Sequence, residues 1–139
     1  MIKSMMLQLL STTQTDLTQE QVSATVNAYL DSWRNGDSAA RAALFADHAV
    51  LEDPVGTPPV EGKAALLAFW QRAEAYPSKF DAVLASIVVC GNEAIVKFAL
   101  RIEIIGVASG TLQIVENFQL DKAGKIVRLR AFWDAASVS

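Results

Sequence analysis

The sequence predicts a single α+β domain in which three N-terminal helices pack on a curved, mixed but mostly antiparallel sheet. Two observations carry this prediction. The first half of the chain has apolar residues at helical spacings, whereas the second half alternates apolar and polar residues as strands do. The chain of 139 residues also suits one domain, since domains commonly have roughly 100–200 residues. We therefore expect no separate cofactor domain.

Two helices are predicted before the first strand. Thr18, with Gln21 three residues later, resembles a capping box, and apolar residues then recur at helical spacing until Asn35-Gly36 ends the helix. Asp37 or Ser38 caps a short second helix that extends to residue 45. Residues 1–16 precede this pattern, and we interpret them as a tail or an extra helical turn ahead of one domain over residues 17–139.

One more helix and five strands are predicted in the rest of the chain. A short strand over 49–53 leads into a proline-rich loop, and a third helix runs from Gly62 to about Tyr76, where Pro77 stops it. Four long strands then form an antiparallel meander, because turn signals such as Gly91-Asn92 separate the alternating segments. These strands are predicted over 80–90, 93–105, 111–120 and 125–133.

The composition excludes several classes of protein. Lys and Arg number 12 and Asp and Glu 15, and the resulting net charge of −3 suits neither a phosphate backbone nor an anionic membrane surface. No apolar run approaches the roughly 20 residues needed to span a bilayer, and the N-terminal residues lack the cleavage site of a signal peptide. We therefore expect a cytoplasmic protein that binds neither nucleic acid nor membrane. The hydrophobic share of 52% indicates a lipophilic pocket, an oligomer interface or both.

Disulfide and metal chemistry have few residues available. Cys90 is the only cysteine and His48 the only histidine, so we expect neither an internal disulfide nor a multi-histidine metal site. His48 is interpreted as a loop residue without a role.

Glu116 is the most unusual residue of the strand pattern. It shares the parity of Leu112, Ile114, Phe118 and Leu120, which should face the core. A carboxyl group among apolar neighbours is desolvated, which raises its pKa, and its neutral form can donate a hydrogen bond. The alternative is a structural role, either in a bulge that turns Glu116 outward or in a hydrogen bond to a helix end.

Asp53 and Tyr29 are the other candidate site residues. Asp53 has the parity of the buried residues of the short strand and directly precedes Pro54. It is therefore either a general base at the mouth of a pocket or the start of a turn. Tyr29 lies on the apolar stripe of the first helix, where its hydroxyl group needs a partner. It is either a functional donor or a core tyrosine with a satisfied hydroxyl.

Two blocks of the sequence resemble bacterial Δ5-3-ketosteroid isomerases, which belong to the NTF2-like and SnoaL-like superfamily. The first block is LFADHAVLEDPVG, followed by a Gly-led helix that ends in Phe-Trp, and the second is ENFQLDKAGKIVRLRAFW. The likeness runs from about Tyr29 to Trp133, with diverged middle strands. The resemblance implies a conical barrel whose helices and curved sheet enclose an apolar pocket. It also implies a homodimer paired through the outer face of the sheet.

The resemblance also implies roles for individual residues. Asp53 corresponds to the general base of the family's Asp-Pro-Val-Gly element, and Tyr29 corresponds to a tyrosine that binds the oxyanion. Counting back nine residues from Lys125 reaches Glu116, where the family has an aspartic acid that stays protonated. Trp70 is a second departure, since family members often carry a tyrosine there.

The reaction implied by the resemblance moves a C=C double bond of a hydrophobic β,γ-unsaturated ketone, such as a steroid, into conjugation. Asp53 would shuttle the proton, while Tyr29 and neutral Glu116 would donate hydrogen bonds to the dienolate oxygen. No metal or organic cofactor is implied. Five aromatic residues are candidate pocket walls, with ordinary core packing as the alternative for each: Phe69, Trp70, Phe98, Phe118 and Trp133.

Two alternative functions stay open. One is another small-molecule enzyme of this fold, either a SnoaL-like polyketide cyclase or an epoxide hydrolase. The hydrolases use an Asp-Arg-Asp set, and no inward-facing arginine is predicted here. The other alternative is a non-catalytic ligand-binding or dimerisation module. Glu116 argues weakly for the module, whereas Tyr29 and the Asp53-Pro54-Val55-Gly56 element argue against it.

Overall fold

A computed structural model describes all 139 residues and contains four α-helices and six strands. The helices are α1 (Ile2–Leu10), α2 (Gln19–Arg34), α3 (Ser38–Ala42) and α4 (Lys63–Ala73). The strands are β1 (Phe45–Glu52), β2 (Val60–Glu61), β3 (Ser78–Cys90), β4 (Glu93–Ile104), β5 (Ala108–Leu120) and β6 (Ile126–Phe132), and a 3-10 helix follows over Ala135–Ser137. Helices α2 and α4 pack on the sheet and α3 packs against both of them, so the predicted α+β class is confirmed.

The sheet is mixed, with the strand order β2-β1-β6-β5-β4-β3. Strand β1 runs parallel to β6, and all other neighbouring strands are antiparallel. The strands β3 to β6 form the predicted meander, and the β3–β4 hairpin turns at Gly91, whose φ of +58° is a conformation that favours glycine. Because β1 returns beside β6, the two halves of the chain meet at the end of β1, where Glu52 lies opposite Arg130.

The core lies between the helices and the inner face of the sheet. Helix α2 begins at the predicted capping box of Thr18 and Gln21, and Val22, Val26 and Leu30 on its apolar stripe are completely buried. Residues of the sheet that face this core include Val96, Phe98, Phe118, Leu129 and Ala131. Burying one such aliphatic side chain contributes about 1.5–3 kcal/mol. The stripe therefore fixes the rotation of α2 and, with it, the direction of Tyr29.

Some of the predicted boundaries are wrong. The second helix ends at Ala42, and Phe45, which was expected in that helix, begins β1 with a completely buried side chain. His48, which was expected in a loop, lies within β1 and is exposed. Pairing with β6 extends β1 toward its N-terminus, and no local feature of the sequence reveals this distant partner. The third helix also ends earlier than predicted, at Ala73, and β2 was not predicted.

Helix α1 lies outside the core. None of its residues is buried, and its apolar side chains are exposed. Beyond it, Asp16 is tied to the β3–β4 turn, because its backbone amide and carboxylate both form hydrogen bonds with the side chain of Asn92. The division into residues 1–16 and 17–139 stays a prediction. None of the helices is both long enough and apolar enough to cross a membrane.

Deleting residues 2–13 is expected to change the free energy of unfolding by less than about 1 kcal/mol, since α1 buries no residue. Leu30→Ala is the reference variant, because truncating a fully buried leucine costs about 2–5 kcal/mol. Urea denaturation of both variants beside the wild-type protein measures the difference. A truncated chain that loses as much stability as Leu30→Ala would place residues 2–13 inside the folded domain.

Candidate active site

Three ionisable residues from separate elements influence one another at the interface between the helices and the sheet. Tyr29 comes from α2, Asp53 follows β1 directly, and Glu116 lies on β5. Tyr29 packs against Phe118, which lies two residues from Glu116 on β5, and Ala131, the β6 partner of Glu116, accepts a hydrogen bond from the backbone two residues after Asp53. The charge of Asp53 also raises the pKa of Glu116. The fold therefore brings together the three residues that the sequence singled out.

Glu116 faces the core as its parity predicts. Its side chain is 3% exposed, and the residues opposite it, Val96 on β4 and Ala131 on β6, are completely buried. The pairing with both neighbouring strands is regular at this position, so no bulge turns Glu116 outward. Burial raises its pKa well above the ordinary value, and the charge of Asp53 raises it further. The environment thus favours the protonated carboxyl group, which can donate a hydrogen bond.

Asp53 is less enclosed than Glu116. Its side chain is half-buried, and it accepts a hydrogen bond of 2.8 Å from Nε1 of Trp133. Burial raises the pKa of Asp53, whereas the hydrogen bond from Trp133 lowers it. The peptide bond to Pro54 is cis. A surface depression of about 350 Å³ opens beside Asp53 and is lined by Pro54, Val55, Phe132, Trp133, Asp134 and Ser137.

The end of β1 that carries Asp53 is anchored on β6. Glu52 binds Arg128 and Arg130 of β6, and these two guanidinium groups hold the pKa of the Glu52 carboxyl below its ordinary value. The backbone amide of Val55, on the other side of Asp53, donates to the carbonyl oxygen of Ala131 over 2.9 Å. Contacts on both sides thus fix the backbone that presents Asp53.

Tyr29 is held by aromatic side chains on the inner face of the domain. It is 4% exposed and meets Phe118 edge-on at 5.1 Å and Phe45 at 6.2 Å between ring centroids. Burial raises its pKa well above the ordinary value, ionisation of Glu116 would raise it further, and Trp33 lowers it. The phenol therefore keeps its proton and can act as a hydrogen-bond donor.

The five predicted pocket walls occupy different environments. Trp70, Phe98 and Phe118 are buried in the core, whereas Phe69 and Trp133 are partly buried. Trp133 alone among them lines the depression beside Asp53. A larger open cleft, of about 1020 Å³, lies between the end of α2 and strands β3 to β5, and none of the predicted site residues lines it. Roles for these five residues in binding stay predictions.

The expectation of no inward-facing arginine is wrong. Arg41 on α3 is completely buried and forms an ion pair with Glu74 at 3.0 Å. Its sequence environment conceals this, because a helix of small residues with Asp37 one turn earlier is typical of a solvated ion pair. The hydrogen bond from Trp133 to Asp53 was also missed, since its partners lie 80 residues apart.

Comparisons with known proteins agree with this architecture. The family model of the SnoaL-like domain matches residues 26–129. A steroid Delta-isomerase of Nocardioides simplex is 37% identical over 114 residues, which cover 81% of this chain and 89% of that protein. A solved structure of the epoxide hydrolase/cyclase-like enzyme SalBIII, described for its role in pyran ring formation in the polyether salinomycin, superimposes with a TM-score of 0.77. That match has 23% identity, covers 87% of this chain and 96% of the other, and shows the fold alone.

The family match spans the strands and helices that carry Tyr29, Asp53 and Glu116, and the isomerase match covers most of both chains. The chain therefore belongs to the SnoaL-like family of the NTF2-like fold and is a relative of steroid Delta-isomerase.

Proposed function

We propose that this protein is an isomerase that moves a C=C double bond of a hydrophobic β,γ-unsaturated ketone into conjugation through a dienolate. The observation that carries the proposal is the grouping of one half-buried carboxylate, Asp53, with two buried acids that keep their protons, Tyr29 and Glu116. A base and two hydrogen-bond donors are the groups that this proton transfer requires.

Asp53 acts as the proton shuttle in this mechanism. Its carboxylate removes the proton from the carbon between the carbonyl group and the double bond, and the electron pair of that C–H bond moves toward the carbonyl oxygen. Protonated Asp53 then returns the proton to the far carbon of the former double bond, and the conjugated ketone forms. The proton count is unchanged, so the reaction consumes neither water nor a cofactor.

Tyr29 and Glu116 stabilise the charge that develops on the carbonyl oxygen. Both are neutral donors in an environment from which water is largely excluded, where a hydrogen bond to a developing oxyanion strengthens as the charge grows. Glu116 has one more methylene than the aspartic acid of the resembling family. It fits this role because its strand is regular and places the carboxyl group directly on the inner face.

The substrate in this proposal is lipophilic and steroid-like. Aromatic side chains contact Tyr29, the indole of Trp133 donates to Asp53, and the relative from Nocardioides simplex is named for a steroid substrate. We further propose a homodimer that forms through the outer face of the sheet, where Val88 pairs with Ile95 across β3 and β4 and both side chains are exposed.

A SnoaL-like polyketide cyclase is the second candidate, favoured by the family match over residues 26–129. Such a cyclase also relies on one acidic base in an apolar site, so Asp53 would keep its role. An epoxide hydrolase is disfavoured because Arg41, the buried arginine, is already bound by Glu74 and Ser32. A non-catalytic module would give the two buried acids no chemical role.

The proposed function is tested by mixing the protein with a β,γ-unsaturated ketosteroid and following the ultraviolet absorbance of the conjugated product. Asp53→Asn is expected to lower kcat about 10²- to 10⁴-fold while the protein stays folded, because the amide cannot accept the proton. Asp47→Asn is the matched control, since Asp47 is an exposed carboxylate on the preceding strand β1. Wild-type turnover in Asp53→Asn would contradict the mechanism, and an inactive wild-type protein would reject the isomerase in favour of the cyclase or the module.

The pH dependence of kcat/KM is expected to report both carboxyl groups. Activity rises with pH as Asp53 ionises and falls as Glu116 loses its proton, because the pKa of each is raised and burial is greater at Glu116. Glu116→Gln keeps a donor that does not titrate, so the fall caused by Glu116 should disappear. Carboxyl NMR on the wild-type protein should show Glu116 titrating well above the ordinary value of about 4.3. A normal titration would remove Glu116 from the oxyanion site.

Trp133→Phe is expected to move the rising limb of the same profile to higher pH. The substitution removes the Nε1–H group that donates to Asp53, and that hydrogen bond lowers the pKa of Asp53. Tyr76→Phe serves as the control aromatic substitution, because Tyr76 is exposed and lies outside the site. An unchanged rising limb in Trp133→Phe would show that Trp133 does not tune the base.

A further inference from the structure

Arg41 is the one cation among the buried residues of this protein, and the proposed reaction leaves it without a role. Its side chain is completely buried, at 0% exposure. Removing a guanidinium group from water is unfavourable unless its donors are paired and its charge has a use or a partner. The contacts of Arg41 therefore indicate what the buried charge does.

Each nitrogen of the Arg41 guanidinium donates a hydrogen bond, and its plane packs on an indole ring. Its Nε donates to Ser32 Oγ at 3.0 Å, its Nη2 to the carbonyl oxygen of Ser32 at 3.1 Å, and its Nη1 to Glu74 Oε1 at 3.0 Å. The plane stacks on the indole of Trp33, with Cζ 3.5 Å from the ring centroid, and lies 5.2 Å from that of Trp70. These contacts hold the charge in one place.

The contacts lead directly to Tyr29. Ser32 Oγ accepts from Arg41 and donates to the backbone carbonyl oxygen of Tyr29, so one hydroxyl joins the guanidinium to the turn of α2 that carries the phenol. Trp70 extends the same cluster, because its ring lies 5.1 Å from Phe45, which in turn contacts Tyr29. Arg41 is thus linked to Tyr29 by a hydrogen-bonded chain and by packed aromatic rings.

The charges around Tyr29 explain why a cation is useful there. Ionised Asp53 raises the pKa of Tyr29, as Glu116 would if it lost its proton, whereas Arg41 lowers it. The other charged groups that act on Arg41 are Glu74, which is partly exposed, and Asp37. The carboxylate paired with Arg41 is therefore Glu74 and not one of the two acids near Tyr29.

We propose that Arg41 is a positioning residue of the oxyanion site: its buried charge and its bond to Ser32 fix Tyr29 and strengthen the phenol as a donor to the developing oxyanion. The inference rests on the proposed isomerase function. In this role, Trp33 and Trp70 hold the guanidinium group in place, and the negative charge of Glu74 partly neutralises its positive charge.

A double-mutant cycle tests the proposal with the ketosteroid assay on the full chain. Arg41→Met is expected to lower kcat about 10-fold, less than the loss of a direct donor, and to leave KM within about twofold. In a Tyr29→Phe background the same substitution should have no further effect, because the group through which Arg41 acts is gone. Arg41→Lys, which keeps the charge, should recover part of the loss. Arg101→Met is the matched control, since Arg101 is exposed on β4.

The Glu74→Gln variant separates electrostatics from scaffolding. It keeps a hydrogen-bond acceptor for Arg41 and removes the opposing charge, so kcat should hold or rise, whereas a purely structural ion pair predicts a loss. If Arg41→Met does not fold, Arg41→Met/Glu74→Gln removes both charges and takes its place in the cycle. The role of Arg41 would be overturned if Arg41→Met lowered kcat equally in the wild-type and Tyr29→Phe backgrounds, or lowered it in neither. The proposed isomerase function would be unaffected by either result. An inactive wild-type protein would overturn both.

Discussion

The burial of the Glu116 carboxyl group is the constraint on which the rest of the site depends. A carboxylate at 3% exposure with apolar neighbours on both adjacent strands is disfavoured as an ion, so the group is held in its neutral form. Phe118, two residues from Glu116 on the same buried face of β5, packs edge-on against Tyr29 of α2. One hydrophobic contact thus places the phenol beside the part of the inner face on which the carboxyl group is buried.

The mixed sheet positions Asp53, the base of the proposed mechanism. Parallel pairing of β1 with β6 places Asp53 near Glu116, with the single strand β6 between their strands. Ion pairs between Glu52 and the arginines Arg128 and Arg130 hold the end of β1 against β6. Trp133, in the segment after β6, donates a hydrogen bond to Asp53. The aspartate is thus fixed without being enclosed, which keeps its pKa closer to the ordinary value than that of Glu116.

Local patterns in the sequence predicted the parts of the fold that depend on local interactions. The capping box located the start of α2, and strand parity placed Glu116 on the inner face, because both signals act within a few residues. Tertiary contacts decided the rest. Phe45 joins a strand instead of a helix because β6 pairs with it, and Arg41 is buried because Glu74, Ser32 and two indoles receive it. No pattern within α3 encodes partners that lie on other elements.

The three acids of the site differ in burial, and this difference assigns their chemistry. A carboxyl group that is half-buried and accepts a hydrogen bond can ionise, whereas a fully buried one resists ionisation. This difference suits Asp53 and Glu116 to the separate roles of base and donor in the proposed mechanism, although the two groups are chemically alike. Ionised Asp53 also raises the pKa of Tyr29, whereas the single buried cation, Arg41, lowers it. In the proposed mechanism, a residue outside the reacting groups therefore acts on the same phenol that binds the oxyanion.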